Sequence, residues 1–140
     1  SDRFVAPAIA LRVATNEVTG GNVVPVGNLD ARRDISDVRD VVRAYRLLAE
    51  FGTAGAVYNV CSGTAVRIGD LAEQLVTMAS TPMALETDPA LLRPVDIPVL
   101  CGDNSKLRED TGWEPKFPID VTLADLMADC RSRVASASLG

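Results

Sequence analysis

The sequence contains no histidine among its 140 residues, so the side chain that most often acts as a general base at neutral pH is absent. It also has no G-x-S-x-G turn and no G-x-G-x-x-G after a strand. These absences argue against a serine nucleophile elbow and against a dinucleotide fingerprint. Without histidine, the three cysteines (Cys61, Cys101 and Cys130) predict neither a disulfide framework nor a zinc site. We interpret all three as small buried apolar residues.

Long apolar runs and positive clusters are scarce as well. No run approaches the roughly 18 to 20 apolar residues that a membrane span needs, and no leader-like segment opens the sequence. The formal net charge is -5, which argues against nucleic acid or an anionic membrane as a partner. We expect a cytoplasmic protein in which any bound anion is held by a few individually placed arginines.

The composition that is present, 47% hydrophobic and 24% charged, is typical of one folded domain, residues 1–140. Apolar residues at helical spacing, with glycine or proline at the ends, predict helices and short strands. The helices are expected over 5–18, 37–51, 68–79, 105–111 and 121–134, and the strands over 23–26, 33–36 and 83–87. Three of the helices carry apolar stripes that are expected to face inward: Val38, Val41, Val42, Tyr45 and Leu48; Leu71, Leu75 and Met78; and Leu123, Leu126, Met127 and Cys130. The first two strands are expected to pair as a small ribbon.

The run "AVYNVCS", residues 56–62, has apolar residues on both alternating faces except at Asn59. This pattern is typical of a strand covered on both sides in a parallel sheet. With the flanking helices it predicts an α/β fold. The chain lacks the sheet that such a strand requires, so we expect either dimerisation through this strand or the C-terminal piece of a longer protein.

Arginines beside turns and prolines are the candidate binding residues. Arg33 precedes Asp34, and its guanidinium is suited to grip a diphosphate while the aspartate fixes its conformation. The alternative is a surface Arg–Asp pair of little energetic value. Arg93 precedes Pro94, which restricts the backbone. Neither Tyr45 nor Tyr58 is followed four residues later by lysine. We interpret both as packing residues, because Tyr45 lies on the apolar stripe of its helix and Tyr58 lies within a predicted strand.

Three blocks in order extend this interpretation: "VGNLDARRDISDVRDVVRAYRLL", "GAVYNVCSGTAVRIGDLAEQL" and "LLRPVDIPVLCGDNSKLREDTGWEPKFPIDVTLADLM". They resemble the C-terminal part of extended short-chain dehydrogenases that act on nucleotide sugars, the NAD-dependent epimerase/dehydratase family. Within it they are most similar to bacterial GDP-4-keto-6-deoxy-D-mannose reductases. GDP-mannose 4,6-dehydratases share the "GNLDA-x-RD" block. In those proteins the aspartate is typically followed by a tryptophan-glycine-histidine pattern, whereas this sequence continues as "DISDVRD".

The resemblance implies a Rossmann-type architecture in which this chain is the substrate-binding portion, mostly helical with short strands. Residues 56–62 would join a larger parallel sheet supplied by an N-terminal dinucleotide-binding domain. The family's Tyr-x-x-x-Lys pair and glycine-rich cofactor loop do not occur in these 140 residues. The resemblance therefore implies a catalytically incomplete chain with no catalytic, cofactor-binding or metal-binding residues of its own. NADP or NAD would serve the full-length enzyme.

By the same resemblance, Arg33 and Arg93 match arginines that contact the diphosphate of the sugar nucleotide, and Arg32 is a weaker match. Asn28 and Leu29 match the nucleobase side. The implied partner is a GDP-sugar, and a homodimer is expected. The alternatives are part of a GDP-mannose 4,6-dehydratase or sugar-nucleotide epimerase, or a non-catalytic self-associating module.

Overall fold

A computed structural model describes residues 4–92 and 97–137 of the chain. These residues contain five α-helices, five short strands and one 3-10 turn, which confirms the predicted α/β class. In chain order they are α1 (Val5–Thr19), β1 (Val23–Val26), β2 (Arg32–Asp34), α2 (Val38–Phe51), β3 (Ala65–Arg67), α3 (Ile68–Thr77), β4 (Ala84–Thr87), the 3-10 turn (Pro89–Leu91), β5 (Val99–Leu100), α4 (Ser105–Thr111) and α5 (Ile119–Ala137).

Local sequence signals place most helix ends. Gly20 and Gly112 follow α1 and α4 with φ of 79° and 66°, values that glycine adopts without steric cost. Asp37 precedes α2, and its carboxylate accepts a hydrogen bond from the backbone N–H of Arg39 at 2.8 Å. The predicted last helix is extended at both ends, to Ile119 and Ala137.

The strands pair across long sequence separations rather than with their neighbours. β1 pairs in parallel with β4, while β2 lies between antiparallel β3 and parallel β5. The predicted ribbon of the first two strands is therefore wrong. The connection after β1 turns toward α3, where the carbonyls of Leu29 and Ala31 accept hydrogen bonds from the N–H groups of Gly69 and Ile68.

The main core lies where α1, α3 and α5 pack against β1. The apolar faces of α3 and α5 point inward as predicted, since Leu71, Leu75, Leu123, Met127 and Cys130 are all buried. Removing such apolar surface from water is the main favourable term in folding. This core fixes α1 against β1. Among the described residues, no helix has the length and apolar character needed to cross a bilayer.

A second, smaller cluster joins α2 to α4 through buried Ala44, Leu107 and Trp113. Asp40 on α2 is 2% exposed. Its carboxylate accepts hydrogen bonds from the backbone N–H groups of Lys116 and Phe117 at 2.9 to 3.0 Å, and it pairs with Arg43 at 2.6 Å. A buried carboxylate with this many donors is fully compensated.

Several burial predictions are corrected by the structure. The α2 positions expected on an inward stripe are partly solvent-exposed: Val38 is 70%, Val42 60% and Tyr45 62% accessible. Packing of Tyr45 inside this chain was therefore a wrong prediction, whereas Tyr58 does pack against the second cluster. Cys130 is buried as predicted, but Cys61 is only half-buried and Cys101 is exposed.

Residues 56–62 were predicted to form a strand covered on both faces, and within the described chain they form none. Val57 is 83% exposed. Side chains rather than a ladder hold the segment, because Asn59 donates to the Asp103 carbonyl and Asn104 donates to the Cys61 carbonyl. No strand of the described residues lies alongside to satisfy its backbone, so the extended pattern has no partner here.

Candidate functional site

A cavity of about 720 Å³ opens between the first half of α1, the end of β1 and the loop after β2. Apolar residues form most of its wall, and its polar lining includes Arg12, Asn28, Arg33, Asp34 and Ser36. A concave, largely apolar site with a few convergent polar groups is the usual form of a small-ligand site. A second cavity of equal volume lies between the C-terminal ends of α1 and α5, away from the predicted site residues.

The end of β1 is shaped by a close backbone approach. A Cβ added at Gly27 would lie 2.7 Å from the Leu91 carbonyl oxygen, so the 3-10 turn can pack there only against glycine. The N–H of Asp88 also donates to the Val26 carbonyl at 2.9 Å. Leu91 and Gly27 thereby form one side of the cavity.

Arg33 is the predicted diphosphate ligand, and the structure places it in the cavity wall. One terminal N–H group, Nη1, donates to the Ile97 carbonyl at 2.7 Å and to its neighbour Arg32's carbonyl at 2.8 Å. β2 carries this residue between β3 and β5. The guanidinium is therefore positioned by two backbone oxygens, one in β2 and one in the segment that leads into β5.

Asp34 does not hold Arg33, contrary to the prediction. Its carboxylate accepts hydrogen bonds from the N–H and hydroxyl of Ser62 at 2.8 and 2.6 Å, and from the N–H groups of Gly63 and Gly102 at 2.9 and 3.3 Å. Burial raises the pKa of Asp34, but these hydrogen bonds outweigh burial and leave the pKa below its ordinary value. Asp34 thus ties together the segment before β3 and the segment after β5.

The other predicted site residues are placed differently. Asn28 lines the cavity, and its side-chain oxygen accepts a hydrogen bond from the Asp30 N–H at 3.0 Å. Leu29 packs against the main core instead, and Arg32 is exposed outside the cavity lining. Arg93 lies outside the described residues. The structure therefore brings Arg33 and Asn28 together and leaves Leu29 and Arg32 elsewhere.

Arg12 is a cavity residue that the sequence reasoning missed. It is the sole basic residue of α1, and its Nη1 donates to the Pro25 carbonyl at 3.0 Å. The available signal was a lone cation in the first half of a helix whose other residues up to that point are all apolar. Its approach to β1 was not visible, because residues 12 and 25 meet only through the packing of α1 on that strand.

The arrangement is suited to binding an anionic ligand rather than to proton transfer. Within 4–92 and 97–137, no group of three or more histidine, cysteine or acidic residues is placed to hold a metal ion. Two arginines on different walls, Arg12 and Arg33, supply hydrogen-bond donors to one cavity. First-turn N–H groups of α1 lie beside them without a side-chain cap among the described residues, which adds positive potential.

Comparisons with known proteins show which proteins this chain is similar to. The chain is 37% identical over 134 residues to the GDP-6-deoxy-D-mannose reductase of Pseudomonas aeruginosa, covering 95% of this chain and 44% of that protein. It is 27% identical over 131 residues to a GDP-mannose 4,6-dehydratase of Sinorhizobium fredii, covering 80% and 37% respectively.

Among solved structures, the P. aeruginosa protein RMD in complex with NADPH superposes with a TM-score of 0.87 at 35% identity, over 95% of this chain and 44% of that one. The chain thus spans less than half the length of these relatives. The family model described as GDP-mannose 4,6 dehydratase matches residues 1–126. The chain belongs to that family, within the extended short-chain dehydrogenases that process nucleotide sugars.

Proposed function

We propose that this chain is the nucleotide-sugar-binding portion of an NAD(P)-dependent reductase that acts on the 4-keto group of a GDP-4-keto-6-deoxy-mannose. The observation that carries the proposal is the cavity with Arg33 in its wall, in a chain that is 37% identical to a GDP-6-deoxy-D-mannose reductase. The single domain, 1–140, holds the substrate, and a separate dinucleotide-binding half carries out hydride transfer.

Arg33 supplies positioning rather than chemistry in this proposal. Its Nη1 is occupied by carbonyls, and its orientation is thereby fixed before ligand arrives. The planar guanidinium matches the oxygens of a diphosphate, and Arg93 supplies the second contact. Binding energy gained at this remote group orients the sugar toward the nicotinamide. Asn28 lies on the nucleobase side. Leu29 and Arg32 are outside the cavity lining and make no direct contact with the ligand in this proposal.

The cofactor, NADP or NAD, is bound by the other half in this proposal. The relative RMD was solved with NADPH. Neither tyrosine of this chain is followed four residues later by a lysine, since Ala49 and Ser62 occupy those positions. A Tyr-x-x-x-Lys pair must therefore come from residues outside these 140 for reduction to occur.

The exposed apolar face of α2, formed by Val38, Val42 and Tyr45, supports the proposal that a separate dinucleotide-binding half accompanies this chain. Residues 56–62 pack on the other side of α2 through Tyr58 and Val60, and their extended pattern lacks a ladder among the described residues. We propose that the dinucleotide-binding half covers both. In the isolated chain the same face would pair with a second copy, giving the homodimer.

Titration calorimetry tests the binding proposal directly. GDP and GDP-mannose are expected to bind the wild-type chain far more tightly than inorganic phosphate does. Arg33→Ala is expected to weaken both by about tenfold or more, because a charge-assisted contact is lost. Arg46→Ala removes an exposed arginine on α2 and is the matched control. Equal affinities for GDP and phosphate, or unchanged binding by Arg33→Ala, would contradict the proposal.

A dehydratase is the second candidate, since the matched family model carries that description and the S. fredii relative is a 4,6-dehydratase. The two reactions differ in residues outside this chain. Incubating the longer gene product with NADPH and either GDP-mannose or its 4-keto-6-deoxy derivative separates them. A reductase oxidises NADPH only with the keto sugar, whereas a dehydratase converts GDP-mannose without net NADPH consumption.

A further inference from the structure

Arg12 is partly buried, and within 4–92 and 97–137 it makes one side-chain hydrogen bond and has no counter-ion. Its Nη1 donates to the Pro25 carbonyl at 3.0 Å, and no carboxylate of the described residues pairs with it. An arginine held in this way keeps most of its five N–H donors available. Because α1 is packed on β1, the guanidinium is fixed at the cavity wall rather than free to move into solvent.

The two cavity arginines are attached to different elements. Arg33 is carried by β2 and bonded to Ile97, whereas Arg12 is carried by α1 and bonded to β1. A nucleoside diphosphate sugar offers one doubly anionic group and one base edge rich in acceptors. Because Arg33 is assigned to the diphosphate, the base is the group that remains for Arg12. Arg12 lines the same cavity as the end of β1 and Asn28.

We infer that Arg12 reads the guanine of a bound GDP-sugar, donating from its guanidinium to O6 and N7 while the Pro25 carbonyl holds it in place. This inference rests on the proposed function. The planar fork of arginine matches the O6 and N7 acceptors of guanine in a bidentate contact. Adenine presents an amino donor where guanine has O6, and uracil has no equivalent pair of acceptors. Arg12 is therefore a specificity residue for the base.

Calorimetry with four nucleotides tests this role on wild type, Arg12→Met and Arg12→Lys. Arg12→Met keeps an unbranched side chain but removes every hydrogen-bond donor, so the affinity for GDP is expected to fall about tenfold or more. The affinity for IDP is expected to fall equally, because inosine retains O6 and N7. ADP and UDP affinities are expected to change less than about threefold. Arg12→Lys keeps the charge without the fork and should lose most of the preference for GDP over ADP.

Controls separate the possible outcomes. Arg46→Met makes the same chemical change at an exposed site on α2 and should alter none of the four affinities. Equal weakening of GDP, ADP and UDP by Arg12→Met would make Arg12 a diphosphate contact and overturn the inference. A lowered melting temperature with unchanged affinity ratios would make it a tie to β1 only, which also overturns it.

The failure of the underlying proposal is visible before any Arg12 variant is measured. If the wild-type chain does not bind GDP, both the proposed function and the role of Arg12 are wrong. If wild type binds GDP and Arg33→Ala weakens that binding, but Arg12→Met leaves the GDP to ADP ratio unchanged, the base-reading role alone is wrong.

Discussion

The layer of α1, α3 and α5 and the region around α2 differ in which side chains they bury. The first buries leucine, isoleucine and valine side chains within the chain and places its ionic contact, Glu17 with Arg131, at the rim. The second buries the carboxylate of Asp40 and exposes Val42 and Tyr45. Because exposed apolar faces of this kind often mark interaction surfaces, the face of α2 is the one to which the proposed contact with a neighbour is assigned.

The largest effect is expected at the buried carboxylate of the second region. Asp40→Asn removes the charge paired with Arg43 and leaves a donor amide facing the N–H groups of Lys116 and Phe117. We expect the free energy of unfolding to fall by about 2 kcal/mol or more, measured by urea denaturation.

Asp129→Asn is the matched control, because Asp129 is 63% exposed and pairs with Arg133 at 3.7 Å on the surface of α5. Its effect should lie within about 0.5 kcal/mol. If the two variants were equally stable, the carboxylate of Asp40 would not be what holds α2 to the turn at Lys116.

A smaller, pH-dependent effect is expected at the rim of the first region. The hydrogen bonds and charge of Arg131, with the N–H of Ser80, lower the pKa of Glu17 to about 2, against an opposing effect of partial burial. A carboxylate whose pKa is lower in the folded protein than in the unfolded chain stabilises the fold. This stabilisation is fully present above the unfolded pKa of about 4.5 and is lost as the pH falls toward the folded pKa of about 2.

Glu17→Gln should therefore cost about 1 kcal/mol at pH 7, since Arg131 is partly solvent-screened, and almost nothing near pH 2. Urea unfolding at both pH values measures the difference. Glu73→Gln, an exposed change on α3, serves as the control. A constant deficit across this pH range would show that the carboxylate charge of Glu17 is not responsible.

The smallest effect on stability is expected on the exposed face of α2. Val42→Ser and Tyr45→Ser remove apolar surface that the chain does not bury, so each should change the free energy of unfolding by less than about 0.5 kcal/mol. Both should reduce self-association in light-scattering measurements after size exclusion. Large destabilisation would mean that this face is buried within the chain in solution, and the contrast between the two regions would fail.

Local structure was largely predictable from the sequence. Helix ends follow from Asp37, Gly20 and Gly112, whose side-chain or backbone preferences act over a few residues. The apolar stripes of α3 and α5 also point inward as predicted, because both lie within the one core. The apolar stripe of α2 does not point inward, because spacing shows which residues share a face but not what covers that face.

The candidate site was predictable only in part. Arg33 stood out through its position in "GNLDARRD" and lies in the cavity wall. Its orientation by the Ile97 carbonyl, 64 residues away, and the engagement of Asp34 by Ser62 depend on the pairing of β2 with β5 and β3. Such pairings are set by the whole chain, which is why the predicted ribbon and the predicted Arg33–Asp34 contact were both wrong.

The sequence by itself determined most helix boundaries, the α/β rhythm, the family and the lack of a Tyr-x-x-x-Lys pair, because each depends on residues close together in the chain. Only the tertiary structure decided that Arg12 meets β1, that Asp40 rather than Val42 is buried, and that Arg33 is held by backbone carbonyls. These contacts require distant segments to pack at fixed distances, and short-range patterns carry no information on such distances.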